Sequence, residues 1–72
     1  MDNEKFVNRI GENIVKLRKE KGLKQIDLAI KLDMEDSALR RIEKGRTNPT
    51  ILTLKKIADA LQVSINEIIP SK

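Results

Sequence analysis

The stretch "QIDLAIKLDMEDSALRRIEKG", Gln25 to Gly45, decides the fold. Leu28, Ala29 and Leu32 recur at helical spacing and predict a short helix from about Gln25. Leu39 and Ile42 predict another, which Gly45 stops because glycine accepts the left-handed turn that ends a helix. Only a few residues, around Asp33 and Met34, separate the two, so the chain must turn sharply between them. Ala29 falls where the helices would cross, and its small side chain permits close approach. Leu39 and Ile42 would pack back onto Leu28 and Leu32.

The same reading extends in both directions. Val7, Ile10, Ile14 and Leu17 mark a first helix, capped near Asp2 or Asn3 and ended by Gly22. Leu23 supplies the apolar contact that accompanies a glycine cap. After the turn-rich "RTNP", Thr50 can cap a fourth helix with Ile51, Leu54, Ile57, Ala58 and Leu61 on its apolar face. "SINE", Ser64 to Glu67, has capping-box spacing and opens a fifth helix with Ile65, Ile68 and Ile69, halted by Pro70. The expectation is an all-α fold of five helices forming one domain over 1–72, with the second and third in a helix-turn-helix arrangement.

Composition narrows the chemistry. The chain has 72 residues, 39% hydrophobic and 36% charged, and contains no cysteine or histidine. A domain this small buries only roughly 60% of its unfolded surface, so packing between short helices must be tight. Without cysteine there is no disulfide framework and no thiolate metal site. No serine has a candidate base partner, and no glycine-rich phosphate loop occurs, so neither an enzyme nor a cofactor is expected. Asp33, Glu35 and Asp36 lack the spacing of a calcium loop, and no metal is expected. No apolar run nears the ~18 residues that span a membrane, and Asp2 and Asn3 do not open a signal peptide. A reducing cytoplasm is the expected location. Phe6 is the only aromatic residue, which argues against RNA recognition by stacking.

The net charge is +4, unevenly spread. Lys16, Arg18, Lys19, Lys21 and Lys24 form one basic cluster; Arg40, Arg41, Lys44 and Arg46 form another. Between them, residues 25–39 are net acidic. On the third helix the side opposite Leu39 and Ile42 carries Ser37, Arg40, Arg41 and Lys44, with Asp36 at its edge. Such a face could simply be solvated. It could also enter a DNA major groove, where arginine bonds guanine and serine contacts several bases.

Nearly the whole chain, about residues 6–69, resembles the Cro and phage-repressor type of helix-turn-helix regulator, the XRE type. The matching pieces are "LRKEKGL", "Q..LA.KL", "RIEKG", "NPT..TL.KIA.AL" and "VS..EI", in order. The resemblance implies a compact lambda-repressor-like DNA-binding domain of five helices. It further implies a homodimer on a two-fold operator in double-stranded DNA. It puts Asp36, Ser37 and Arg41 where the family reads base edges; Arg40, on the same exposed face, is grouped with them. Gln25 matches a phosphate-holding residue, and Lys44, Arg46, Thr47 and Asn48 match the backbone-contacting end. Arg18 and Glu43 match a salt bridge between the first and third helices. Val63, Ile65, Ile68 and Ile69 are dimer-interface candidates, some of them needed for the monomer's own core.

The chain departs from the family pattern at several places. Asp33 and Gln62 stand where glycine is usual; aspartate tolerates a left-handed backbone better than glutamine does. Glu35 and Asp36 put two carboxylates on a helix meant to approach phosphates. Each favours the helix dipole by ~0.3–1 kcal/mol, and Asp36 can pair with Arg40 four residues on. Ile26, Ile30 and Leu52 are apolar where the family is usually polar. Scattered surface apolars explain them; a patch for a protein partner is the alternative. The expected function is a sequence-specific transcriptional regulator that occupies an operator. The alternative is an antitoxin-like protein-interaction module on the same fold with secondary DNA binding.

Overall fold

A computed structural model describes residues 2–71. Its α-helices are α1 (Asn3–Glu20), α2 (Gln25–Lys31), α3 (Asp36–Glu43) and α4 (Ile51–Leu61). Among the described residues there is no strand, and no helix is long and apolar enough to cross a membrane.

The expected fifth helix is a single 3₁₀ turn, Ile65–Glu67. Ser64 does start it: Ser64 Oγ accepts from the Asn66 N–H at 3.2 Å, and the Ser64 N–H donates to Glu67 Oε2 at 3.3 Å. Pro70 then removes the backbone donor that a further turn would need and restricts the residue before it. Too few residues remain between cap and proline to propagate an α-helix. The turn is held from outside, where Asn13 Nδ2 of α1 donates to the Ile68 carbonyl at 2.7 Å.

The core draws on every element. Ile10, Ile14 and Leu17 meet Leu28, Ala29 and Leu32, then Leu39 and Ile42, then Leu54, Ile57, Ala58 and Leu61, and finally Ile68. Ala29 is 1% exposed, as a crossing point requires. Val7, Ile65 and Ile69 are only half-buried. Ile51 departs from its expected place on the apolar face. It is the first residue of α4 and 65% exposed, because the core begins a turn later at Leu54.

All four α-helices close in one way. After α1, the Gly22 N–H donates to Lys19 O and the Leu23 N–H to Arg18 O. After α2, Asp33 and Met34 make the same pair of bonds to Ile30 and Ala29; after α3, Gly45 and Arg46 make them to Ile42 and Arg41. After α4, Gln62 and Val63 make them to Asp59 and Ala58. This double closure satisfies carbonyls a helix end would otherwise orphan, and it needs one residue in the left-handed region. Those residues are Gly22, Asp33, Gly45 and Gln62, at φ +73, +53, +72 and +59. Aspartate and glutamine therefore adopt the glycine geometry rather than a different turn.

Gly11 lets α1 lie directly on the end of α3. A Cβ there would sit 2.7 Å from the Ile42 carbonyl oxygen and 2.8 Å from the Glu43 carbonyl carbon. Sequence reading missed this. Its one signal was a glycine inside a helical pattern, a choice that costs roughly 1 kcal/mol relative to alanine unless packing requires it.

Candidate nucleic-acid interface

A buried ion pair sets the position of α3. Arg18 on α1 donates from Nε to Glu43 Oε2 at 2.8 Å and from Nη2 to Glu43 Oε1 at 3.2 Å. The side chains are 10% and 4% exposed. Arg18 Nη1 also donates to the Leu23 carbonyl at 3.0 Å, so the guanidinium braces the chain leaving α1. Charge-assisted, two-pronged contacts of this kind fix orientation as well as add strength.

Gln25 joins this pair. It is the first residue of α2, and its Nε2 donates to Glu43 Oε1 at 2.8 Å. One carboxylate thus ties α1, α2 and α3 together. An amide nitrogen carries two hydrogens, so the contact with Glu43 uses one and leaves another for a ligand. Sequence reading placed Arg18 with Glu43 but did not see Gln25 in the same network. The Asp27 carboxylate, accepting from the Lys24 N–H at 2.8 Å, closes the start of α2.

With Leu39, Ile42 and Glu43 buried, the outer face of α3 is determined. Ser37, Arg40, Arg41 and Lys44 are exposed, and Asp36 is half-exposed. Gly45 then reverses the chain, and Arg46, Thr47 and Asn48 continue the exposed surface. Arg41 has no ion-pair partner among the described residues. Four cations follow one another along this surface, each on a side chain long enough to reach a phosphate or a base edge.

The two acids at the start of α3 behave differently. Glu35 occupies the capping position, but its side chain makes no cap hydrogen bond. It contributes charge at the positive helix end and nothing more specific. Asp36 Oδ2 accepts from Arg40 Nη2 at 3.1 Å. Its other oxygen, Oδ1, is buried without a hydrogen-bond partner. The pair is half-exposed and contributes a few tenths of a kcal/mol at most. Its effect is to hold Arg40 against the helix.

Ile68 is fully buried within the monomer as part of its core, so it is not available to a dimer interface. Val63, Ile65 and Ile69 remain half-buried, packed against that core. Ile26, Ile30 and Leu52 are 48%, 71% and 70% exposed.

A pair of short helices joined by a tight left-handed turn, the second presenting a basic face beside a basic loop, defines a helix-turn-helix domain. Residues 14–68 match the helix-turn-helix family HTH_3. An uncharacterized HTH-type transcriptional regulator of Sinorhizobium fredii, y4dJ, is 41% identical over 69 residues, which cover 96% of this chain and 86% of that protein. The immunity repressor protein of Bacillus phage phi105 is 38% identical over 60 residues, 83% of this chain but only 42% of the repressor's length. The crystal structure of the restriction-modification controller protein C.AhdI from Aeromonas hydrophila superposes with a TM-score of 0.83 at 28% identity, covering 88% of this chain and 96% of that one. The chain belongs to the XRE-type helix-turn-helix family of transcriptional regulators.

Proposed function

We propose that this protein binds double-stranded DNA sequence-specifically and controls transcription by occupying an operator as a homodimer, without catalysis. The observation that carries the reading is the Arg18–Glu43–Gln25 network. It ties α1, α2 and α3 through one carboxylate and holds the Gln25 amide at the start of α2. In this reading Asp36, Ser37, Arg40 and Arg41 meet base edges in the major groove. Gln25, Lys44, Arg46, Thr47 and Asn48 hold the phosphates on either side. Arg18 and Glu43 position and do not touch DNA. A regulator of operator DNA works where that DNA is, and we assign it to the cytoplasm.

A two-fold dimer would set two copies of α3 about 34 Å apart, matching successive major grooves. Val63, Ile65 and Ile69 are the apolar side chains we assign to that contact. The test is selection of bound sequences from random duplex DNA. A two-fold site with half-sites one helical turn apart is the expected result; recovery of no preferred sequence would overturn the reading.

The exposed Ile26 and Ile30, four residues apart on α2, favour a second reading: a module that grips another protein and binds DNA secondarily. Salt separates the two. A DNA binder loses affinity with a slope near −0.9 per phosphate neutralised. A protein complex that forms without DNA and resists salt would favour the second reading.

A further inference from the structure

The start of α1 lies against the loop that follows α3. Gly45 has no Cβ, and one built there would lie 2.9 Å from the Cα of Asn8 and would collide with the Asn8 side chain. Asn8 in turn lines a shallow groove of about 220 Å³ with Lys5, Arg9 and Glu12. The groove therefore adjoins Gly45, the residue from which the exposed loop Arg46–Asn48 departs. Lys5 and Arg9 are exposed, and neither side chain has an ion-pair partner among the described residues. Glu12 is the one acid among the groove's four lining residues.

The face of α1 that carries these cations continues along the helix. At about 100° per residue, Lys5, Arg9, Lys16 and Lys19 share an arc of about 80°, with Glu12 the one acid inside it. That arc is opposite Ile10, Ile14 and Leu17, and all four cations on it are exposed. Nothing in the packing of the monomer uses this stripe. Lys5 and Arg9 stand about 6 Å apart along the axis, one turn of the helix, close to the loop that carries Arg46.

We propose that Lys5 and Arg9 form an outer phosphate-binding groove, which extends the DNA interface past the loop after α3 onto the side of α1. The ligands are backbone phosphates flanking the sequence that α3 reads. Asn8 is the joint: it rests on Gly45 and lines the same groove as the two cations. Such contacts carry no sequence information, and they lengthen the footprint and steepen the salt dependence. This proposal rests on the DNA-binding reading above and adds a surface to it.

The test compares the salt dependence of duplex binding by wild type and by Lys5→Gln/Arg9→Gln. The probes are a duplex carrying the selected site with long flanks and an unrelated duplex of equal length. Loss of two phosphate contacts should reduce the slope of log K against log salt by about 1.8 on both duplexes. The wild-type advantage should accordingly shrink about twelvefold between 50 and 200 mM salt. Lys31→Gln/Lys56→Gln makes the same charge change at a separate groove between α2 and α4, and should move the slope by much less. Phosphate-ethylation interference should show positions outside the selected site that matter for wild type and not for the variant. An unchanged slope, or an equal change in the control, would overturn the proposal and leave operator binding intact. Absence of any salt-dependent duplex binding by wild type would overturn both. All four side chains are exposed, so thermal melting of each variant should match wild type.

Discussion

Replacing Glu43 by alanine should remove a large share of this domain's stability. Glu43 is 7% exposed and accepts two hydrogen bonds from Arg18 and one from Gln25. Truncation leaves the guanidinium of Arg18, a residue 8% exposed, with only the Leu23 carbonyl as partner. Stranding one charge of a buried pair costs ~3–5 kcal/mol. A chain of this length has a total stability of about 4–11 kcal/mol, from ~0.05–0.15 kcal/mol per residue. Between about a quarter and all of it would go. At about 4–8 °C per kcal/mol, the midpoint of thermal unfolding should fall by at least 12 °C. Urea unfolding followed by circular dichroism reads the loss directly, provided the slope with denaturant is unchanged. The companion variant separates charge from packing. Arg18→Met with Glu43→Leu removes both charges together, and replacing a whole buried pair by apolar residues is often neutral or stabilising. It should recover most of the lost stability, because the half-buried Gln25 amide can turn to water. A loss below 1 kcal/mol for Glu43→Ala would refute the claim that the pair is desolvated. A double variant as unstable as the single one would refute the claim that a stranded charge is the cause.

Other substitutions test the backbone and the reading face. Gly11→Ala should destabilise by ~1–3 kcal/mol, since its methyl meets the carbonyls at the end of α3, and equilibrium unfolding checks the sign against alanine's better helix propensity. Gln62→Gly should stabilise by about 0.5–1 kcal/mol: a left-handed non-glycine residue costs ~1–2 kcal/mol, and glycine's greater unfolded-state entropy offsets part of that gain. Asp36→Ala frees Arg40 and should narrow the ratio of operator to random-DNA affinity; a ratio that stays level or rises would mean that the carboxylate does not aid selectivity.

Local signals explain what was legible in advance. The left-handed closures at Gly22, Asp33 and Gly45 follow from residue types that tolerate that geometry, and the helix-turn-helix pair follows from the few residues left between two apolar patterns. Gln62 was the harder case, because nothing in a glutamine favours a left-handed backbone; the bonds from the Gln62 and Val63 N–H groups to Asp59 and Ala58 close the helix in that geometry. What escaped the sequence was set by distant partners. Gly11 looks like a weak helix residue until the end of α3 is placed against it. Gln25 looks like a free amide until Glu43, eighteen positions on, is brought beside it. The last helix looked complete because its cap is sound, but propagation needs length as well as a start, and Pro70 denies it. Ile51 shows the limit of periodicity at helix ends, where a residue can match the apolar face and still lie beyond the core's edge.

The central claim is that the exposed face of α3 reads bases. Arg41, exposed and with no ion-pair partner among the described residues, carries that claim most plainly. The deciding measurement is the affinity of Arg41→Ala for the selected duplex and for random duplex at one salt concentration. A base-reading arginine predicts an extra loss of ~1–3 kcal/mol on the selected duplex, roughly 5- to 150-fold. Equal losses on both duplexes would make Arg41 a phosphate contact and contradict the account.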